Sequence, residues 1–405
     1  MIVSDEPPPG LDLARSTHDR DEEQTPLRRM LALVARPGVL SLALGLPAPE
    51  SLPRQAFAEA AAAVLAEDAM VLQMAPPSEP LRRQIIALMA RRGVSCRSEQ
   101  IFLTAGAQQA LYLIGRLFLE PGGEIAADEL TYPGLHSALT SLHPRIHPLR
   151  CDPAYGTDVD SLASLLRTAR PAFVYLMPDG HNPLGVSLAT PDRQRLVELA
   201  SRHGVLLVED DAYGFLQHED GAPPLLRALD EEHVISIGSF SKIIGPAMRT
   251  GWMIVPERLV SAFSRLKDGI DTDSCTFVQR VLARLFASPS FVDDHLARLR
   301  GLYRERRDRM LRALARSVPQ AEWLSPRCGL FVWLRLPPGI DTSELLVRAV
   351  ERERLAFLPG ALFGEGDAAR RALRLSFSAS SLDDLDEGAA RLGSLVAGRW
   401  GRSGS

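Results

Sequence analysis

One lysine in the sequence lies among residues that could hold a phosphate group. Lys242 is part of the segment GSFSKIIGPAMRTGW, residues 238–252. Its amine could form an imine with an aldehyde and later move a proton. Ser239, Ser241 and Arg249 could bind a phosphate, the arginine through charge-assisted hydrogen bonds. The segment therefore suits an aldehyde cofactor that carries a phosphate. Taken alone, it is better interpreted as a surface lysine in a serine-rich turn, because most lysines are exposed.

A carboxylate at the end of an apolar run is the second candidate. The segment VEDDAYG, residues 208–214, places Asp210 three residues before Tyr213. Such a carboxylate is partly desolvated, which is costly without a cationic partner. A protonated pyridine nitrogen is such a partner, and its protonation makes the ring an electron sink, so we predict this role for Asp210. The alternative is a helix N-cap or a turn carboxylate.

Three further segments carry weaker signals. Asn182, before a proline in MPDGHNPLG, could aim its amide at a ligand oxygen, although NPxG alone is only a turn. In TAGAQQAL the chain passes from a strand through Gly106 into a helix, where the backbone N–H groups of Ala107 and Gln108 suit a phosphate. In LTYPG, Tyr132 could lie flat on a cofactor ring, or it could be an exposed turn residue.

Short apolar runs alternate with helical segments from about residue 55. The runs include IFLTAG, FVYLMP, VLLVED and VISIGS, and the helical segments include QAFAEAAAAVLAE and TPDRQRLVELASRHG. This alternation indicates an α/β fold with a mostly parallel sheet covered by helices on both faces. Ligands bind beyond the carboxyl ends of the strands in such sheets, which is where the candidate residues stand.

The pattern changes after about residue 290, which indicates more than one packed unit in a chain of 405 residues. A long charged helix leads into the strands GLFVWLRL and ALRLSFS, so a smaller α+β unit is expected. We predict five regions: a flexible N-terminal arm over 1–25, a segment over 26–50 that contributes to the small domain and the active site, a large domain over 51–290, a small domain over 291–400, and a tail over 401–405.

Composition argues against several functional classes. The net charge of −4 gives no long-range attraction to nucleic acid or anionic membranes. No apolar run approaches the length of a membrane span, and the N-terminus has no signal core. The four cysteines include no CxxC pair, so neither a metal site nor a disulfide scaffold is expected. We expect a cytoplasmic protein.

Together the segments resemble the class I/II aminotransferases, which are pyridoxal 5'-phosphate enzymes of fold type I. The likeness is greatest to the branch with 2-aminoadipate and kynurenine-type aminotransferases and the aminotransferase-like half of the MocR regulators. It runs from about residue 38 to about 398 and includes TAGAQQAL, TYPG, HNPLG, EDDAY, SFSK, CGLFVWLRL, AFLPG and LRLSFS in family order. The resemblance implies a large domain with a mostly parallel seven-stranded sheet between helices, plus a smaller α+β domain.

The resemblance also implies a role for each candidate residue. Lys242 forms the Schiff base, and Asp210 pairs with the pyridine nitrogen. Asn182 and Tyr213 contact the ring hydroxyl oxygen, and Tyr132 stacks on the ring. Gly106 is implied to bind the cofactor, and its phosphate is implied to be bound by Ala107, Gln108, Ser239, Ser241 and Arg249. Substrate binding is implied for Gly45, Asn182 and Arg374, the arginine clamping the α-carboxylate.

Four positions depart from the family pattern. Met74 replaces a tyrosine that in relatives usually reaches the phosphate of the neighbouring subunit. Leu184 replaces the threonine of NPTG, Cys328 a glycine, and His181 a glutamine. We expect these residues around the substrate mouth, where His181 is more readily a packed bystander than a catalytic group. The cofactor chemistry would then be preserved while the substrate is unusual.

The implied activity is transfer of an amino group between an L-amino acid and a 2-oxo acid. Elimination, decarboxylation or oxidative deamination use the same residues and remain alternatives. A regulatory sensor of the MocR type is disfavoured, because only some 35 polar residues precede the resemblance, too few for a DNA-binding domain. The family also implies a two-fold homodimer. Nothing in the sequence identifies the side chain of the substrate.

Overall fold

The computed structural model describes residue 34 and residues 36–400, without the side chains of the last two. The predicted arm and tail lie outside the described residues, as do residues 26–33 and 35 of the 26–50 segment. The strands are β1 (Leu40–Ser41), β2 (Ile101–Thr104), β3 (Glu124–Asp128), β4 (Arg145–Leu149), β5 (Cys151–Asp152), β6 (Gly156–Thr157), β7 (Phe173–Leu176), β8 (Leu206–Asp210), β9 (Val234–Ser239), β10 (Gly251–Ile254), β11 (Glu322–Trp323), β12 (Phe331–Arg335), β13 (Leu355–Ala356), β14 (Leu358–Pro359) and β15 (Ala372–Ser376).

Helices cover the strands and connect them. They are α1 (Arg54–Glu67), α2 (Glu79–Ala90), α3 (Ala107–Phe118), α4 (Pro133–Leu139), α5 (Val159–Leu165), α6 (Thr190–His203), α7 (Leu226–Leu229), α8 (Val260–Asp268), α9 (Thr276–Phe286), α10 (Pro289–Ser317), α11 (Thr342–Arg348), α12 (Gly366–Arg370) and α13 (Leu382–Trp400). No helix in this part of the chain is long and apolar enough to cross a membrane.

A seven-stranded sheet forms the larger unit, in the order β2-β10-β9-β8-β7-β3-β4. Only β10 runs antiparallel to its neighbours, so the predicted mostly parallel α/β sheet is confirmed. β7 and β8 are buried along their whole length, which explains why their sequences are continuously apolar rather than alternating. Separate apolar clusters pack on the two faces of the sheet.

The carboxyl ends of β2, β3, β7, β8 and β9 meet at one edge of the sheet, because these strands run in the same direction. Five candidate residues follow or end these strands: Gly106, Tyr132, Asn182, Asp210 and Lys242. The strand topology therefore brings together residues that are up to 136 positions apart in the sequence.

A second, four-stranded antiparallel sheet has the order β11-β12-β15-β14, and α10 packs on α13 beside it. β1 pairs in parallel with β13, which attaches the chain around Leu40 to this smaller unit. The long helix α10 begins at Pro289, with the Ser288 side chain accepting a hydrogen bond from the N–H of Phe291. The domain boundary near residue 290 stays a prediction.

Candidate active site

A cavity of about 400 Å³ opens at the carboxyl edge of the large sheet. It is lined by residues from both units, including Phe331 and Arg374 of the smaller sheet. Gly106 does not line the cavity but stands beside it, between β2 and α3. The predicted site residues in the cavity wall are Gly45, Ala107, Gln108, Tyr132, Asn182, Asp210, Tyr213, Ser239, Ser241, Lys242, Arg249 and Arg374.

Lys242 lies in the cavity wall, in the turn that follows β9. Its Nζ donates a hydrogen bond to the backbone oxygen of Gly45 at 2.8 Å. Burial lowers the pKa of Lys242 to about 8, and the nearby cations Arg374 and Arg249 act in the same direction, while Asp210 opposes them. A larger fraction of this amine is therefore unprotonated near neutral pH than in an ordinary lysine, which favours nucleophilic attack.

Asp210 is fully buried at the end of β8. Its Oδ2 accepts a hydrogen bond from the hydroxyl of Tyr175 at 2.9 Å. Its Oδ1 has no hydrogen-bond partner among the described residues, although Asp210 lines the cavity. Burial raises the pKa of Asp210 to about 6. A buried carboxylate oxygen without a partner is costly, so this atom is suited to a cationic N–H donor inside the cavity.

Buried ion pairs support the chain next to Asp210. Arg92 Nη2 lies 2.7 Å from Asp179 Oδ2, and Arg92 Nη1 lies 3.2 Å from Asp211 Oδ2. Arg193 contacts Asp179 from the other side, at 2.8 Å. These contacts join the chain that follows β7 to the chain that follows β8, and they fix the chain directly after Asp210 from outside the cavity wall.

Arg374 is buried on β15 and points into the cavity from the smaller sheet. Its Nη1 donates to Asn182 Oδ1 at 2.6 Å and its Nη2 to the backbone oxygen of Ala43 at 2.7 Å. The guanidinium carbon lies 3.8 Å from the ring centroid of Phe331. Burial lowers the pKa of Arg374 to about 10, so the side chain is still a cation at neutral pH. Its Nε is buried and has no partner among the described residues.

Gly106 and Arg249 are in contact at the start of α3. Gly106 caps this helix with φ +82°, and a Cβ there would lie 2.8 Å from Arg249 Nη2. The first N–H groups of a helix have no partner within it, so Ala107 and Gln108 offer donors beside a guanidinium. Ser239 lies in the same wall, and its Oγ accepts a hydrogen bond from the backbone N–H of Ser241 at 3.1 Å. This end of the cavity is suited to a phosphate group.

The family comparison decides the class of protein. The family described as aminotransferase class I and II matches residues 39–392. The chain belongs to this family. It is 35% identical to the 2-aminoadipate transaminase of Thermus thermophilus over 92% of this chain and 94% of that protein. It is 34% identical to aromatic-amino-acid aminotransferase 1 of Thermococcus litoralis, over 91% of both.

A solved structure shows the same likeness for this aminotransferase. The kynurenine aminotransferase of Pyrococcus horikoshii is 31% identical, with a TM-score of 0.89 over 95% of this chain and 97% of that one. The predicted family, the fold type I architecture and the transaminase activity are therefore confirmed. The sequence prediction of each site residue's role stays a prediction.

The two tyrosines predicted at the aminotransferase site both line the cavity. Tyr213 is buried and packs edge-on against Phe331, with 5.5 Å between the ring centroids. Burial raises the pKa of Tyr213 and of Tyr132. Both phenols therefore stay protonated at neutral pH and can donate a hydrogen bond to a ligand oxygen.

The four departures from the family pattern were expected around the substrate mouth. For Leu184, Cys328 and His181 this expectation is wrong, whereas for Met74, whose counterpart in relatives reaches the neighbouring subunit, it stays a prediction. None of them lines the cavity. Met74 is 83% exposed elsewhere on the surface, and Leu184 is buried. Cys328 is also buried and donates its Sγ–H to the backbone oxygen of Tyr213 at 3.2 Å. Leu184 and Cys328 are close to site residues in sequence, but both side chains are buried outside the cavity wall.

His181 also lies behind the cavity. Its Nε2 is 3.1 Å from Asp128 Oδ2, which accepts a further hydrogen bond from Thr157 at 3.0 Å. The side chain is buried among these groups and is not in the cavity wall. The prediction of a packed bystander agrees with this placement better than a contact with substrate.

Sequence reasoning missed Tyr175, whose hydroxyl contacts Asp210. FVYLMP was interpreted only as a buried strand. The available signal was the position of a tyrosine in a continuously apolar run, because a buried phenol needs a hydrogen-bond partner. Leu44 and Leu46, which also line the cavity and are partly exposed, were likewise not singled out.

Proposed function

We propose that this aminotransferase binds pyridoxal 5'-phosphate through an imine to Lys242 and uses it to exchange amino groups between an L-amino acid and a 2-oxo acid. The partnerless Oδ1 of buried Asp210 carries this proposal, because it requires a cationic donor where a protonated pyridine ring would lie. Lys242 and the helix end beside Arg249 supply the amine and the phosphate site in the same cavity. The residues present therefore fit this cofactor.

The bound cofactor supplies an electron sink for the electrons released at Cα of the amino acid. Asp210 keeps the ring nitrogen protonated by pairing with it. Tyr213 and Asn182 would donate to the cofactor's ring hydroxyl oxygen, and Tyr132 would lie against the ring. The amine of Lys242 accepts the proton from Cα, and its lowered pKa suits that role near neutral pH.

Arg374 binds the α-carboxylate of the amino acid. Its contact with Asn182 fixes the guanidinium and orients the amide, because Asn182 Oδ1 accepts from Arg374 and its NH₂ is left to donate elsewhere. Recognition of the α-carboxylate alone admits many side chains, so the reaction class does not depend on one substrate.

We further propose a homodimer in the cytoplasm. Leu72 and Met74 are 78% and 83% exposed on one short segment, and large apolar side chains clustered at the surface favour burial against a partner. All four cysteines are free, which agrees with a reducing compartment.

The reaction type is tested by mixing the cofactor-loaded protein with single amino acids and no 2-oxo acid. We expect equimolar pyridoxamine phosphate and 2-oxo acid, and the reaction should stop after one amino group has been transferred to each site. Adding a second 2-oxo acid should restart it. Continued release of ammonia without an acceptor would show elimination or oxidative deamination instead, and carbon dioxide would show decarboxylation.

Gly106→Ala should weaken cofactor binding about tenfold, because φ +82° strains a residue with a Cβ and that Cβ would displace Arg249. Affinity is measured by titrating the cofactor-free protein with pyridoxal phosphate. Gly122→Ala is the matched control, since Gly122 has φ +79° and open space around its Cβ position. The control should lose stability but keep its affinity. Equal losses of affinity in the two variants would contradict a phosphate site at Gly106.

A further inference from the structure

Tyr175 and Asp210 lie on neighbouring strands of the large sheet. Tyr175 pairs in register with Val208. Because side chains alternate along a strand, Val208 and Asp210 share one face of the sheet, and Tyr175 lies on that same face. The Tyr175 hydroxyl is 2.9 Å from Asp210 Oδ2. The register thus places a hydrogen-bond donor directly against the buried carboxylate.

The direction of this hydrogen bond is fixed by chemistry. An ionised carboxylate has no hydrogen, so the phenol donates. Burial raises the pKa of Tyr175 well above its ordinary value, and the charge of Asp210 raises it further. Tyr175 therefore remains a donor throughout the working pH range. Its side chain is not in the cavity wall, and its hydroxyl donates to Asp210, which is in the wall.

We propose that Tyr175 is a positioning residue for the transamination chemistry. Its hydroxyl donates a hydrogen bond to Oδ2 of Asp210 and so fixes the plane of the carboxylate. Oδ1 is then the oxygen that accepts from the ring nitrogen of the cofactor. This inference rests on the proposed function. Oδ2 is satisfied by Tyr175 whereas Oδ1 has no partner among the described residues, and this asymmetry is what assigns the two oxygens to different donors.

Tyr175 also affects the charge state of Asp210. The titratable groups that face this carboxylate are Tyr175, Lys242, Tyr132 and Tyr213. The pKa of Asp210 is raised to about 6 by burial. The hydrogen bond from Tyr175, the backbone N–H of Ala212 and the Lys242 cation oppose that rise. Removing the hydroxyl should raise the pKa of Asp210 further, because the ionised carboxylate loses a hydrogen bond. The two other phenols are neutral and do not replace it.

The sign of the pH effect follows from the form that binds. The ionised Asp210 pairs with a protonated ring. The contribution of this pair to cofactor affinity is therefore fully present above the pKa of the carboxyl and is lost as the pH falls through it. In Tyr175→Phe the decline should begin at a higher pH than in the wild type. A purely structural role for the hydroxyl would lower affinity equally at all pH values.

The test compares two cofactors on Tyr175→Phe, a change that removes one oxygen atom. One is pyridoxal phosphate, and the other is its analogue with carbon in place of the ring nitrogen. Titration of the cofactor-free protein should show affinity for pyridoxal phosphate reduced about tenfold, as expected for a hydrogen bond to a charged group. Affinity for the analogue should not fall, because it has no ring nitrogen to pair with Asp210.

Tyr303→Phe is the control. Tyr303 is also fully buried, and its hydroxyl contacts Ser51 and the N–H of Ala48. This variant should keep the wild-type ratio of affinities for the two cofactors. In an Asp210→Ala background, Tyr175→Phe should have no further effect on affinity or on its pH dependence.

Three outcomes would overturn the inference: unchanged affinity in Tyr175→Phe, an equal loss for both cofactors, or an unshifted pH profile. Each would leave the proposed function intact, provided that wild-type protein binds pyridoxal phosphate and transaminates. If the wild-type protein binds neither cofactor, the proposed function itself fails.

Discussion

Lys242→Ala should reduce turnover by about 10⁴-fold and abolish the yellow absorbance of bound pyridoxal phosphate. The variant lacks both the amine that forms the imine and the group that moves the Cα proton, and general acid–base catalysis alone contributes up to about 10⁴-fold. Turnover is measured with an amino donor that reacts in the wild-type protein. A small added amine such as ethylamine should restore part of the activity, because the missing group is only an amine.

The sequence offers a matched control for this substitution. The chain contains two lysines, Lys242 and Lys267. Lys267 is buried and forms an ion pair with Asp271, and it does not line the cavity. Lys267→Arg keeps the cation and should retain both the absorbance and turnover. Full activity in Lys242→Ala would refute the assignment of Lys242.

Arg374→Ala should lower kcat/KM for amino acids by about 10³-fold, the size expected when one partner of a buried charge pair is removed. The variant loses the cation for the α-carboxylate and leaves Asn182 Oδ1 and the oxygen of Ala43 without their donors. The kcat/KM of Arg374→Lys should lie between those of the wild type and Arg374→Ala, since lysine keeps the charge but not the planar guanidinium. Kinetics with saturating cofactor separate this loss from weaker cofactor binding.

A carboxylate-free substrate identifies the cause of the Arg374 effect. The wild-type protein should strongly prefer an amino acid over the corresponding decarboxylated amine, and Arg374→Ala should lose most of that preference. Arg335→Ala is the control on the adjacent strand, where Arg335 pairs with Glu322 at the surface. It should behave as the wild type. Unchanged discrimination in Arg374→Ala would exclude Arg374 as the carboxylate site.

The sequence predicted the large sheet and its ligand edge because their causes are local. Strands such as β7 and β8 are buried on both faces, so they appear as continuous apolar runs. Candidate residues directly follow these runs, and parallel strands bring their carboxyl ends together. Asp210 and Lys242 could therefore be placed in one site before any contact was known. The specific role of each came from the family resemblance.

Contacts that depend on register or on packing between the two sheets could not be predicted. Tyr175 contacts Asp210 only because β7 and β8 pair with Tyr175 beside Val208, and the sequence does not give that register. Arg374 meets Asn182 across 192 positions, from a different sheet. Both contacts arise from tertiary packing rather than from local sequence pattern.

The predicted positions of the unusual residues Cys328 and His181 were wrong for a related reason. Cys328 and His181 belong to the family segments CGLFVWLRL and HNPLG, so they were expected at the substrate mouth. Both side chains are buried, and neither of them lines the cavity. Proximity in sequence to a site residue is thus a poor guide to contact with the ligand.

The attachment of the cofactor to Lys242 is tested most directly by chemical reduction. Borohydride treatment of the cofactor-loaded protein fixes an imine as a stable secondary amine, and peptide mass spectrometry then locates it. With two lysines in the chain, the result is unambiguous. We expect a single phosphopyridoxyl group on the peptide that contains Lys242. Modification at Lys267 or at the N-terminus, or no modification of a protein that transaminates, would contradict the account.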